Sequence, residues 1–133
     1  MKKQAKVVGY LRVSTLDQNT DKNELAVLKF ANARGYSQVE FISEQVSGMT
    51  SWKRRKLYDV VEHMTANDIL IVPELSRLGR SIVDILEVLK RLTEQGVKVF
   101  SVKENFQING EDIQSKVMRT MLALFAEIER DLI

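Results

Sequence analysis

Short β-rich runs alternate with amphipathic helical segments along this chain, and that alternation constrains its fold more than any other feature. Residues 6–12, Lys6-Val-Val-Gly-Tyr-Leu-Arg12, read as a mostly buried strand. Residues 21–34 read as a helix with Leu25, Leu28 and Ala31 on one face and Gly35 just beyond its end. A second strand follows at 38–43, a helix at 54–64, and a third strand at 69–72, closed by the only proline, Pro73. Residues 81–95 give a helix with Ile82, Ile85, Leu86, Leu89 and Leu92 at helical spacing, Gly96 stops it, and 97–102 form a fourth strand. Helices of this length between strands make right-handed crossovers, so the strands run parallel and the helices cover both faces. The predicted fold class is α/β: a mainly parallel sheet of four to five strands flanked by helices.

At 133 residues and 44% hydrophobic, with no repeats, low-complexity tracts or linkers, the chain reads as one domain spanning 1–133. Its longest apolar runs are too short to span a bilayer and no signal-peptide core follows the N-terminus, so no membrane role is expected and the cytoplasm is the default compartment. The absence of cysteine excludes disulfides and thiolate chemistry. A single histidine, His63, argues against a His-built metal site or a Ser-His-Asp triad and reads as structural, so neither metal nor cofactor is expected. The net charge of +2 is too small to point to nucleic acid by itself, but residues 1–80 carry 13 basic against 9 acidic side chains.

Residues 112–133 read as a helix running to the end of the chain, with Val117, Met121, Leu124 and Ile128 along one line and Met118, Leu122, Phe125 and Leu132 along the next. That apolar surface is wider than the roughly 100° stripe needed to dock on one sheet. A second copy of the chain is the expected partner; burial within the same domain, or cover from a missing remainder of a longer chain, are the alternatives.

Ligand sites of parallel α/β sheets lie beyond the carboxyl ends of the strands, which selects 12–19, 44–54 and 74–80. After strand one, Tyr10, Arg12 and Ser14 share a face by the period of two, giving either an anion site with a nucleophile or a solvated strand end. After strand three, Arg77 and Arg80 flank Gly79; in the first turn of the next helix, both forks would face one side near its positive end and grip a phosphate, or they form an ordinary solvated helix start. The loop Ser47-Gly-Met-Thr-Ser-Trp-Lys-Arg-Arg-Lys56 either brings Arg54 to a phosphate or is a solvated basic face, and Trp52 either stacks on nucleic acid or anchors the loop. Taken together, a serine beside four arginines suits attack on a phosphodiester, where guanidinium groups neutralise the nonbridging oxygens. It does not suit peptide hydrolysis, which needs a base of the histidine type.

These residues resemble the catalytic domain of the serine recombinases, the resolvase and DNA-invertase family. The anchors are Gly9-Tyr-Leu-Arg-Val-Ser-Thr15, Gln18, Ser47-Gly48, Arg54 with Leu57, Leu75-Ser-Arg-Leu-Gly-Arg80, Gln95-Gly96 and Ala126-Glu-Ile-Glu-Arg130. The resemblance implies a site-specific recombinase in which Ser14 attacks the DNA backbone and becomes joined to a 5′ phosphate, with no metal or ATP. It implies that Arg12, Arg77 and Arg80 bind the scissile phosphate, that Arg54 assists, and that Tyr10, Gln18, Glu44 and Ser76 occupy supporting positions. The implied partners are DNA and further copies of the chain: a homodimer on each site and a tetramer on synapsis, through Met118, Met121, Leu122, Phe125 and Ile128 of the terminal helix. The implied location is the bacterial nucleoid.

Three departures accompany the resemblance. Ser76 stands where many members carry Asp, and Glu44 where Asp is common. The long helix is expected to continue past Ile133 into a helix-turn-helix domain, without which DNA binding should be weak and unselective. A non-catalytic α/β dimerisation or regulatory module is the competing reading, and a flavodoxin-like phosphoacceptor is disfavoured because Arg12 and Ser14 replace an acidic cluster after strand one.

Overall fold

The computed structural model of the protein describes residues 5–13 and 20–108. Five strands form one sheet in the order β2-β1-β3-β4-β5. The strands are β1 (Val7–Val13), β2 (Glu40–Gln45), β3 (Ile69–Val72), β4 (Lys98–Ser101) and β5 (Phe106–Ile108). The first four are parallel, and β5 turns back antiparallel to β4. The helices are α1 (Thr20–Ala33), α2 (Lys56–His63) and α3 (Ile82–Glu94), with short 3-10 turns at Trp52–Arg54 and Leu75–Leu78. The terminal segment 112–133, with its expected interface residues, lies outside the described residues.

Alternation along the strands divides the core in two. Val8, Tyr10, Leu70, Val72 and Val99 pack with Leu57 and Val61 of α2 and Ile85, Val88, Leu89 and Leu92 of α3. Leu11, Ile69, Ile71 and Phe100 pack with Val27 and Ala31 of α1 on the opposite face. Residues 69–72 are buried throughout because helices cover both sides of β3. Gly35 and Gly96 end α1 and α3 with φ of +85° and +80°, a conformation that side chains disfavour.

The structure corrects several sequence-based expectations. The inner line of α1 is Val27 and Ala31, whereas Leu25 is 52% exposed; the helix meets the sheet one step around from the line drawn through its leucines. The second strand begins two residues later than expected and includes Glu44 and Gln45, because the pairing with β1 runs on to Val13. The helix expected at 54–64 is split: Trp52–Arg54 forms its own turn and α2 starts at Lys56 after an extended Arg55.

Candidate active site

The strand order reverses between β1 and β3: β1 leads to β2 on one side, and the chain then crosses back to β3 on the other. The crevice beyond the carboxyl ends of these two strands is where a parallel α/β sheet binds ligands. Arg12 stands there, near the end of β1, with its Nη1 donating to the carbonyl of Val46 at 3.0 Å. Its guanidinium lies under Gly48: a Cβ placed on that glycine would sit 3.6 Å from the guanidinium carbon, in ordinary contact. Arg77, on the 3-10 turn after β3, points Nη1 at the carbonyl of Arg12, 3.4 Å away. Glu74 pairs with Arg77 Nε at 3.0 Å.

Arg80 and Arg54 form a second group. Both are exposed, and together with Met49, Thr50, Ser51 and Lys53 they line a cleft of about 520 Å³. The arginines after β3 therefore do not share the first turn of α3. Arg77 sits one segment earlier, in the turn Leu75–Leu78, and Arg80 precedes the N-cap Ser81, so one arginine joins Arg12 and the other joins Arg54. Ser76 is exposed on the same 3-10 turn as Arg77. Ser14 and Gln18 lie outside the described residues.

Buried polar groups hold these arginine-bearing segments together. Asp84 Oδ2 accepts from the backbone N–H of Trp52 at 3.0 Å and of Arg80 at 3.2 Å, joining the two segments that border the cleft. Gly79 is required beside it, since a Cβ there would come within 2.7 Å of Asp84 Cβ and 3.0 Å of the Ile85 nitrogen. Arg55 is 3% exposed and donates to three carbonyls: Thr50 at 3.0 Å, Arg77 at 2.7 Å and Gly48 at 3.4 Å. Arg55 does not stand out in the sequence, because it is one of four consecutive basic residues. Asp84 does carry a signal, the spacing Ser81-x-x-Asp84 of a helix N-terminus, and Ser81 Oγ accepts from the Asp84 N–H at 3.2 Å.

Tyr10 and Glu44 form a buried pair beneath the site. Tyr10 is fully buried and its hydroxyl donates to Glu44 Oε2 at 2.7 Å. Glu44 also accepts from the backbone N–H of Lys56 at 2.9 Å and Leu57 at 3.2 Å, closing the start of α2, where Arg55 offers no side-chain cap. Burial, then the adjacent Glu44 carboxylate, pushes the Tyr10 phenol well above its ordinary value. Trp52 is fully buried against Tyr58, with ring centroids 5.4 Å apart, so of its two readings the structure selects the anchor. His63 is exposed at the end of α2, with Nδ1 2.7 Å from the carbonyl of Asp59. Among the described residues, no group of His, Asp and Glu is arranged to hold a metal ion, and no helix is long and apolar enough to cross a membrane.

Comparison with known proteins agrees with this architecture. The chain is 33% identical to the Transposon Tn21 resolvase of Escherichia coli over 127 residues and 32% identical to the Transposon Tn552 resolvase of Staphylococcus aureus over 126, covering 95% of this chain in each case. Serine recombinase PinR of Escherichia coli is 32% identical over 133 residues. The chain spans 60%, 63% and 65% of the Tn552, Tn21 and PinR proteins, respectively. A crystal structure of a resolvase family site-specific recombinase from Streptococcus pneumoniae matches with a TM-score of 0.55 over 95% of this chain and 89% of that one, at 20% identity, and supports the fold. Residues 7–133 match the family described as Resolvase, N terminal domain, so the arginine-lined edge of this sheet is that of a chain belonging to the resolvase family.

Proposed function

We propose that the chain is the catalytic domain of a serine site-specific recombinase, which cuts and rejoins DNA through a phosphoserine ester. One observation carries the reading: within a resolvase N-terminal domain, Arg12 and Arg77 converge at the carboxyl edge of β1 and β3, with Arg54 and Arg80 lining the adjacent cleft. Ser14 follows Arg12 by two residues in the sequence. Its Oγ attacks the phosphorus, the 3′ oxygen departs as a hydroxyl, and the 5′ phosphate stays on serine. Reversal by a 3′ hydroxyl of the recombining partner restores the diester without loss of bond energy. Guanidinium groups around the phosphate neutralise its nonbridging oxygens and the charge that builds in the five-coordinate transition state.

In this reading residues 1–133 act as one domain, 112–133 begin the helix that pairs copies of the chain, and Gln18 supports the nucleophile. The partners are DNA, a second copy at each crossover site and a tetramer at synapsis, and the place of action is the nucleoid. The test presents the chain, joined to a DNA-binding module of known site, with a duplex nicked near the crossover so that cleavage cannot be reversed. A covalent protein–DNA species that disappears in Ser14→Ala is the expected result. Equal amounts from Ser14→Ala and the parent, or none from a protein shown to be bound at the site, would point instead to a non-catalytic dimerisation module.

A further inference from the structure

The turn between β4 and β5 reaches back to the segment that carries Arg77. Val102 and Lys103 donate backbone N–H groups to the carbonyls of Val72 at 3.0 Å and Pro73 at 2.9 Å. Glu104 Oε1 accepts from the backbone N–H of Leu75 at 2.8 Å and from Ser101 Oγ at 2.6 Å. Glu74 stands at the centre, with Oε1 3.0 Å from Arg77 Nε and Oε2 3.3 Å from Lys103 Nζ. The Glu74 and Arg77 side chains are 25% and 19% exposed, so the pair is partly shielded from water. The 3.0 Å contact is an ion pair outside hydrogen-bond geometry, so the carboxylate restrains the guanidinium by charge rather than by fixing its plane. Here Nη1 is directed at the Arg12 carbonyl near the end of β1.

We propose that Glu74, itself held by Lys103, is a positioning residue for Arg77: its carboxylate holds the guanidinium in place by charge and so keeps the fork available to the DNA phosphate. The proposal rests on the recombinase reading above. Glu74 does not meet the reacting atoms; it acts through Arg77 alone. A partly exposed ion pair contributes little to folding, so its loss leaves the protein folded. A misdirected phosphate donor, by contrast, lowers the rate on the order of 10- to 100-fold.

The experiment measures single-turnover adduct formation on the nicked duplex for the parent, Glu74→Gln, Arg77→Lys and the double variant, with a melting curve for each. Glu74→Gln should lose about tenfold or more in rate with its melting temperature nearly unchanged. In the Arg77→Lys background it should cost nothing further, because the group it positions is gone. A second readout needs no DNA: in nitrogen-15 relaxation of the chain, the Arg77 Nε–H should lose order in Glu74→Gln. An unchanged adduct rate in Glu74→Gln, the same proportional loss in the Arg77→Lys background, or unchanged order of the Arg77 Nε–H would overturn the assignment. A parent protein that forms no adduct would overturn the recombinase reading instead, while the relaxation measurement still reports on the Glu74–Arg77 pair.

Discussion

Asp84 and Gly79 show how little room the arginine segments have. Asp84 Oδ2 serves Trp52 and Arg80 at once, and the place of a Gly79 Cβ is already taken by Asp84 and the Ile85 nitrogen. Gly79→Ala should therefore cost about 1–3 kcal/mol in urea denaturation and slow strand cleavage, because Asp84 must move off the Arg80 N–H. Tyr10 offers a test by pH. The folded protein keeps the phenol proton at pH values where the unfolded chain, with an ordinary pKa of about 10, has released it. Raising pH past about 10 thus favours the unfolded chain, and this part of the stability is complete below that value. Tyr10→Phe should lose about 1 kcal/mol at neutral pH and show a shallower alkaline decline than the parent; an identical decline would contradict the assigned shift. At this scale the sequence singles out Arg12, Arg54, Arg77 and Arg80 as candidates, because Arg12 stands near the end of a strand and the others come after one. It hides Arg55 and Asp84, whose roles come from distant carbonyl and N–H partners.

The start of α2 depends on a side chain from another element. Glu44 reaches from β2 to the N–H groups of Lys56 and Leu57, which no residue next to the helix satisfies. Glu44→Ala should cost about 2–4 kcal/mol, through the lost cap and the unpaired Tyr10 hydroxyl, and hydrogen exchange should quicken at Lys56 and Leu57 before it does in α1. Uniform exchange across all helices would contradict this local role. The elements themselves were largely readable: β3 falls on residues 69–72 as expected, and both glycine stops stand where α1 and α3 end. The errors have tertiary causes. The α1 face is set by where the sheet lies rather than by its leucines, and the break before α2 is set by Trp52 entering the core. The split of Arg77 from Arg80 also escapes local reading, because a 3-10 turn and a helix start carry the same residue types.

For the whole molecule, the strand reversal between β1 and β3 decides where chemistry can occur, and alternation of strands and helices was enough to find that edge. In the proposed reaction, charge neutralisation there falls to Arg12, Arg54, Arg77 and Arg80. Adduct formation should accordingly proceed equally well in EDTA and in magnesium, and a requirement for added divalent cation would contradict that assignment. The most direct test of the central claim is peptide mapping, by mass spectrometry, of the protein–DNA species trapped on a nicked duplex. A 5′-phosphate ester on Ser14, absent in Ser14→Ala and strongly reduced in Arg77→Ala, is the expected result. An ester on any other residue, or an adduct indifferent to Arg77, would contradict it.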